Sequence, residues 1–294
     1  MERKEKDFDV FSLKRLCKFP LIRRDKKGQE SGPVQMTYQL KKALFGPCDP
    51  FPVMEIENGK RPFKVPGLDL FCSGRYTGLT NQMASPFFLT KLTRRFPMGL
   101  PRTYVWFRAQ LLCLDVIDRL VPQEGKILDI GCGFGIVTLS LALGSPKREL
   151  IGFELDPKRI RLARNAAAGL PQVSFEERDF STDPSLPDGV DAIVMIDLLH
   201  HVPFQVQEKL LDQCALHLRQ GGSLCIREID TTPKRKFYWN LLHDKIVTGN
   251  QSLYFRPSEE FQKQLERRGL SVRRWSHPHP LYPFVFLLGT KQNG

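Results

Sequence analysis

Lys126 to Ala142 reads KILDIGCGFGIVTLSLA. An apolar run ends in Asp129, glycines follow at alternate positions (Gly131, Gly133, Gly135), and apolar residues resume from Ile136 to Ala142. The pattern predicts a buried strand, a tight glycine turn and a helix. Glycine permits positive φ and lets the backbone approach a ligand, while the first amides of the following helix are unpaired and partly positive. A cofactor is therefore expected across Gly131, Cys132, Gly133 and Gly135. A dinucleotide fingerprint would need the spacing G-x-G-x-x-G, with a glycine where this chain has Ile136. The acid two residues before the first glycine would repel a pyrophosphate but suits a ligand bearing an ammonium group.

Downstream, acids stand at the ends of successive predicted strands. RELIGFE ends in Glu154, followed by Leu155, and a carboxylate in that place can accept from both hydroxyls of a ribose. Asp156-Pro157 reads as a helix cap with proline in the first turn, and Gly169 as that helix's stop. VSFEERDF, 173–180, predicts a third strand with Asp179 and Phe180 at its carboxyl end. VDAIVMI runs into Asp197-Leu198-Leu199-His200-His201, and a helix from Phe204 to Leu218 leads to a fifth strand, SLCIREI, whose end carries Glu228 and Asp230. Repeated strand and helix alternation predicts right-handed crossovers in a parallel sheet. Ser258 is read as the cap of a last helix ending at Gly269, and SVRRWS and FVFLLGT as two closing strands.

This ordered set of Asp129 with its glycines, Glu154, Asp179 and the segment Asp197 to His201 resembles the class I S-adenosylmethionine-dependent methyltransferases over residues 102 to 290. The resemblance implies an α/β fold: a three-layer α-β-α, Rossmann-like, seven-stranded and mostly parallel sheet with an antiparallel strand, here carrying an N-terminal extension. It also implies S-adenosylmethionine as cofactor, with Asp179 accepting from the adenine amino group, Phe180 bordering the ring, and Asp197 in the segment beneath the methyl donor. A helix from Arg102 to Val121 precedes the first strand, and in the family such a helix often closes over the methionine end; Arg108 would approach the carboxylate there, or else stack on Tyr104 at the surface. His201, with His200 behind it, is a candidate general base or a support for the site. No third ligand for a metal stands beside them, and the N-P-P-Y or D-P-P-Y pattern of amino methyltransferases is absent.

Between the fifth strand and the last helix lies an insertion, 230–257, crowded with aromatic and ionisable side chains. Tyr238, Trp239, His243, Asp244 and Arg256 are its candidates for the acceptor pocket, and His243 is a second candidate base. Residues 1–100 are read as an accessory extension and 101–294 as the methyltransferase domain. In the extension, apolar residues from Phe8 to Leu16 suggest a short helix, PVMEI-ENGK-RPFKV a hairpin, and Ser85-Pro86 a capped helix reaching Phe96.

Composition limits the rest. The chain has 294 residues, 41% of them hydrophobic, and no apolar run long enough for a membrane span. Seven cysteines without a C-x-x-C pair argue against a disulfide framework, and the charged start lacks a signal core, so a cytoplasmic location is expected. The formal net charge of +12 could attract nucleic acid or an anionic membrane surface, or be solvated surface. A small or lipid-like organic acceptor is the expected substrate; RNA and a nonenzymatic cofactor-binding or partner-regulating module are the alternatives.

Overall fold

A computed structural model describes residues 85–248 and 252–292. The expected helix near residue 8 and the Asn-Gly hairpin lie outside the described residues. The elements are α1 (Pro86–Thr93), α2 (Leu100–Leu111), α3 (Leu114–Leu120), β1 (Gly125–Ile130), α4 (Ile136–Gly144), β2 (Arg148–Glu154), α5 (Pro157–Ala166), β3 (Val173–Glu177), β4 (Val190–Ile196), a 3-10 turn at Leu199–His201, α6 (Phe204–His217), β5 (Leu218–Ile229), α7 (Lys234–Thr248), α8 (Ser258–Arg267), β6 (Leu270–Ser276) and β7 (Phe284–Lys291).

The strands form one seven-stranded sheet in the order β3-β2-β1-β4-β5-β7-β6. β1 to β5 pair in parallel, and β7 runs antiparallel to both β5 and β6. Alternate strand residues feed two separate cores. Ile127, Leu150 and Val194 pack with residues of α1 to α5 on one face, while Leu128, Phe153 and Ile193 pack with Leu210 and Leu211 of α6 and Phe261 and Leu265 of α8 on the other. The result is the expected three layers. A third cluster at the carboxyl end of the sheet joins Leu111, Ile229, Tyr282 and Phe284, with Phe237 and Phe255 packed against it.

Local chemistry explains where elements stop. Ser85 caps α1 by accepting from Phe88 N at 3.1 Å, and Asp156 caps α5 by accepting from Lys158 N at 2.8 Å. Phe88, Leu89 and Leu92 of α1 belong to the same core as β1 and α4, so this helix, grouped with the extension in the sequence reading, packs as part of the sheet domain. The expected single helix from Arg102 to Val121 is two, because Cys113 adopts a left-handed conformation, φ 52°, and breaks it. The break leaves the Leu111 carbonyl free of the helix, where it accepts from Arg227 Nη1 at 2.6 Å. β3 ends at Glu177, short of Asp179, and β5 begins at Leu218 rather than Ser223 by way of an irregularity opposite Val190 and Ala192. Ser258 is not the cap of α8: Pro257 occupies that place, and the Ser258 hydroxyl donates to Asp230 Oδ2 at 2.7 Å, tying the helix to the end of β5.

The turn between β1 and α4 is closely packed. Gly135 sits at φ +73°, and a Cβ there would lie 2.6 Å from the Phe175 ring and 3.2 Å from Ala163. Its helix has no local side-chain cap. Asp129 supplies one from the strand, its Oδ2 accepting from Thr138 N at 3.0 Å and Thr138 Oγ1 at 2.5 Å. Burial pushes the Asp129 carboxyl up to about 6, against the pull of the two Thr138 bonds.

Two outcomes follow from this turn. Gly135→Ala is expected to cost about 2 kcal/mol in denaturant unfolding, from the left-handed backbone and the clash with Phe175 together. For Asp129 the folded state binds its proton more tightly than the unfolded chain, so its ionisation costs stability as pH rises from the ordinary carboxylate range through about 6. Asp129→Asn removes that cost; relative to the variant, the wild type should lose stability between about pH 4 and about pH 7, measured by urea unfolding at both ends. A difference independent of pH would contradict the assignment.

Candidate active site

The glycine turn is drawn onto the end of β2 by backbone bonds. Gly131 N and Cys132 N both donate to the Phe153 carbonyl, at 2.8 and 2.9 Å. Gly133 N donates to Glu154 Oε2 at 2.9 Å, while Glu154 Oε1 accepts from Leu155 N and Asp156 N, each at 3.0 Å. Gly131 sits at φ +74°, where a side chain would be strained, and a Cβ there would press on the Leu198 side chain at 2.6 Å. Gly133 differs: a Cβ would have only Glu154 Oε2 within contact range, at 3.9 Å, so the backbone is open on that side.

Around this opening stand a carboxylate, an exposed leucine and aromatic rings. Glu154 is a buried carboxylate, Leu155 is 60% exposed beside it, and Phe180 packs edge-on against Phe153 at 5.7 Å. Phe134, in the turn itself, meets the Tyr104 ring of α2 at 5.2 Å. Asp129, Asp179 and Cys132, expected to bind the cofactor, have other duties in the structure. Asp129 Oδ2 is taken by Thr138; Asp179 Oδ1 accepts from Ser181 N and Ser181 Oγ at 2.8 and 2.6 Å; and burial raises the Cys132 thiol well above its ordinary pKa, leaving it a packing group.

Next to this cradle, the ends of β4 and β5 carry a buried charge network. Asp197, at φ 52°, accepts from Arg108 Nη2 at 2.5 Å, from Arg227 Nε at 3.1 Å, and from Arg227 Nη2. Burial alone would raise the Asp197 carboxyl, but Arg227 and Arg108 hold it well below the ordinary carboxylate range. Arg108 thus faces inward rather than stacking on Tyr104 at the surface. Arg227 has no exposed surface and lies 4.2 Å over the Phe284 ring.

One residue further along β5, Glu228 gathers the 3-10 turn. Its Oε1 accepts from Leu198 N and Leu199 N at 3.0 and 2.6 Å, and its Oε2 lies 2.5 Å from His200 Nδ1. The His200 ring stacks on Phe255 at 5.1 Å, and its Nε2 faces Asp244 Oδ2 at 3.9 Å. Burial would lower the His200 pKa, but Glu228, Asp197 and Asp244 together raise it above the ordinary histidine value. His201, the candidate preferred from sequence, is the opposite case. Its Nδ1 is buried without a hydrogen-bond partner, and burial and His200 push its pKa down to about 3. It is therefore neutral at ordinary pH and a poor proton acceptor there.

The insertion contributes α7, which closes over this network. Asn240 Nδ2 donates to Asp244 Oδ2 at 2.6 Å, and burial raises the Asp244 carboxyl. His243 lies beside Asp244 at 4.0 Å and meets the Tyr282 ring at 5.7 Å, with burial lowering its pKa. Tyr238 and Trp239 are on the same helix but half or more exposed. Arg256 does not join them. Its Nε donates to Gln207 Oε1 at 2.8 Å, and its guanidinium pairs with Glu208 at 2.9 Å and with Glu260, bracing α6 against α8. Sequence reasoning missed Arg227 and the pairing of His200 with Glu228. The signal present was Arg-Glu at the end of an apolar strand, where one charge per face would otherwise be buried at a loss.

Residues 127–222 match the family described as methyltransferase domain. A ubiquinone biosynthesis O-methyltransferase from Xylella fastidiosa is 34% identical over 125 residues, which cover 40% of this chain and 48% of that protein. A ribosomal RNA small subunit methyltransferase C from Ectopseudomonas mendocina is 33% identical over 129 residues, 40% of this chain and 35% of that protein. The chain spans about half the length of the curated relatives it matches, the Xylella protein among them. In fold it is similar to an O-methyltransferase family protein from Burkholderia thailandensis, with TM-score 0.55 and 17% identity over 74% of this chain and 64% of that one. It is also similar to the magnesium protoporphyrin IX methyltransferase of Synechocystis with bound S-adenosylhomocysteine, with TM-score 0.51 and 17% identity over 70% of this chain and 95% of that one. With the sheet order and the glycine turn, the match identifies residues 127–222 as a methyltransferase domain on a Rossmann-like sheet.

Proposed function

We propose that the chain transfers a methyl group from S-adenosylmethionine to a small or lipid-like organic acceptor, with a hydroxyl as the favoured nucleophile. The observation that carries this reading is the buried His200–Glu228 pair, 2.5 Å apart, beside Asp244 beneath α7. The O-methyltransferase named among the relatives supports the choice of nucleophile.

S-adenosylmethionine supplies a methyl group already activated by its sulfonium charge, so the chain's tasks are alignment, exclusion of water and removal of one proton. The turn from Gly131 to Gly135, with Glu154 and Leu155, would hold the nucleoside, with Phe180 beside it. Arg108 and Arg227 fix Asp197 and with it the turn at the end of β4. His200 keeps its Nδ1 proton toward Glu228 and takes the acceptor's proton at Nε2, while Glu228 stabilises the imidazolium that forms. His243, beside Asp244, borders the acceptor's side.

Two measurements test this. In calorimetric titration with S-adenosylhomocysteine, Glu154→Ala should weaken binding by about tenfold or more, since a carboxylate partner for the ligand is lost. Unchanged affinity would overturn the cofactor assignment. In a methyl transfer assay with phenolic acceptors, kcat/KM should rise with pH through a value above the ordinary histidine pKa, because only the unprotonated base accepts. His200→Asn should lower the rate by about a hundredfold or more and flatten that profile. RNA is the second reading, favoured by the net charge of +12 and the ribosomal RNA methyltransferase among the relatives; methylation of RNA but of no small acceptor would select it.

A further inference from the structure

α7 has two unlike sides. Phe237, Asn240, Leu241 and Asp244, at helical spacing, turn inward: Asn240 is buried, Asp244 faces His200, and Phe237 meets Phe255 at 4.9 Å. Arg235, Tyr238, Trp239 and Leu242 recur at the same spacing on the other side, and there Tyr238 is 60%, Trp239 50% and Leu242 54% exposed. A helix that has already buried one apolar face gains nothing within the fold from a second one.

The charges on this helix favour one occupant. Lys234, Arg235 and Lys245 are exposed at its two ends, and Asp244, the sole acid in the helix, belongs to the inner side. Tyrosine and tryptophan together with an aliphatic residue, framed by lysine and arginine, is the composition of a helix lying in a membrane interface: the rings settle at headgroup depth, and the cations meet anionic lipid. α2, whose Arg108 enters the same charge network, exposes further aromatic surface at Phe107 and Tyr104.

We propose that the outer face of α7 docks on an anionic lipid surface, so that an acceptor dissolved in that surface reaches the polar network beneath the same helix. The docking stands on the exposed face and its charges; the delivery of an acceptor rests on the function proposed above.

The full chain is sedimented with vesicles of phosphatidylcholine, with and without added phosphatidylglycerol. The chain should partition onto the anionic vesicles, with an affinity lowered about fivefold by Lys234→Ala and by Arg235→Ala, and about tenfold by Leu242→Ser. All three variants should bind S-adenosylhomocysteine as the wild type does. Tryptophan emission should shift to the blue on binding, and Trp239→Phe should lose that shift while still partitioning. Absence of partition, partition unchanged in the three variants, or a blue shift that survives Trp239→Phe would each overturn the docking. So would single-stranded RNA binding that the same variants abolish, which would assign the face to nucleic acid. Vesicle binding without methyl transfer to any small acceptor would uphold the docking and strike the function; transfer without vesicle binding would do the reverse.

Discussion

A guanidinium with no exposed surface must find a partner for its charge or forfeit several kcal/mol, and Arg227 finds three. It pairs with Asp197 at the end of β4, donates to the Leu111 carbonyl at the end of α2, and lies over Phe284 of β7. One side chain thereby sets the relation between two neighbouring strands and the helix that precedes the sheet. The left-handed backbone of Asp197 and the helix break at Cys113 are conformations that would be unfavourable alone, and each places a polar group where Arg227 can reach it.

Glu228, the next residue along β5, points to the opposite side of the strand and does for the 3-10 turn what Arg227 does for α2. Three donors converge on its carboxylate, so His200 is oriented by the same group that shapes the backbone carrying it. The two consecutive charges divide the work: one anchors the scaffold and the other the candidate base.

Much of this was readable in the chain. The strand and helix alternation, the glycine turn and Glu154 at the end of β2 depend on local periodicity and on residue types with few structural uses, and these lie where the spacing predicts, although β3 stops short of Asp179. Pairings across the fold were not readable. Glu260 stands four residues after Arg256, but nothing in the sequence indicates that Glu208 will claim it as well, and His200 could be told from His201 only by knowing which ring faces Glu228. Ser258 has a cap's sequence context, yet Asp230 competes for its hydroxyl from the end of β5. Asp129 was legible as an important acid, but its bonds to Thr138 make it a brace for the turn rather than an open acceptor.

The network under α7 also has a charge sum. The guanidiniums of Arg108 and Arg227 are offset by the carboxylates of Asp197 and Glu228, leaving His200 and Asp244 at the margin of an otherwise neutral assembly. In a low-dielectric interior a further unbalanced charge is costly, so the imidazole and the adjacent carboxyl behave as a two-site reservoir that favours one net proton. Protonated His200 keeps Asp244 ionised, whereas a proton on Asp244 favours the neutral imidazole, so the enclosure holds little net charge with the proton on either side.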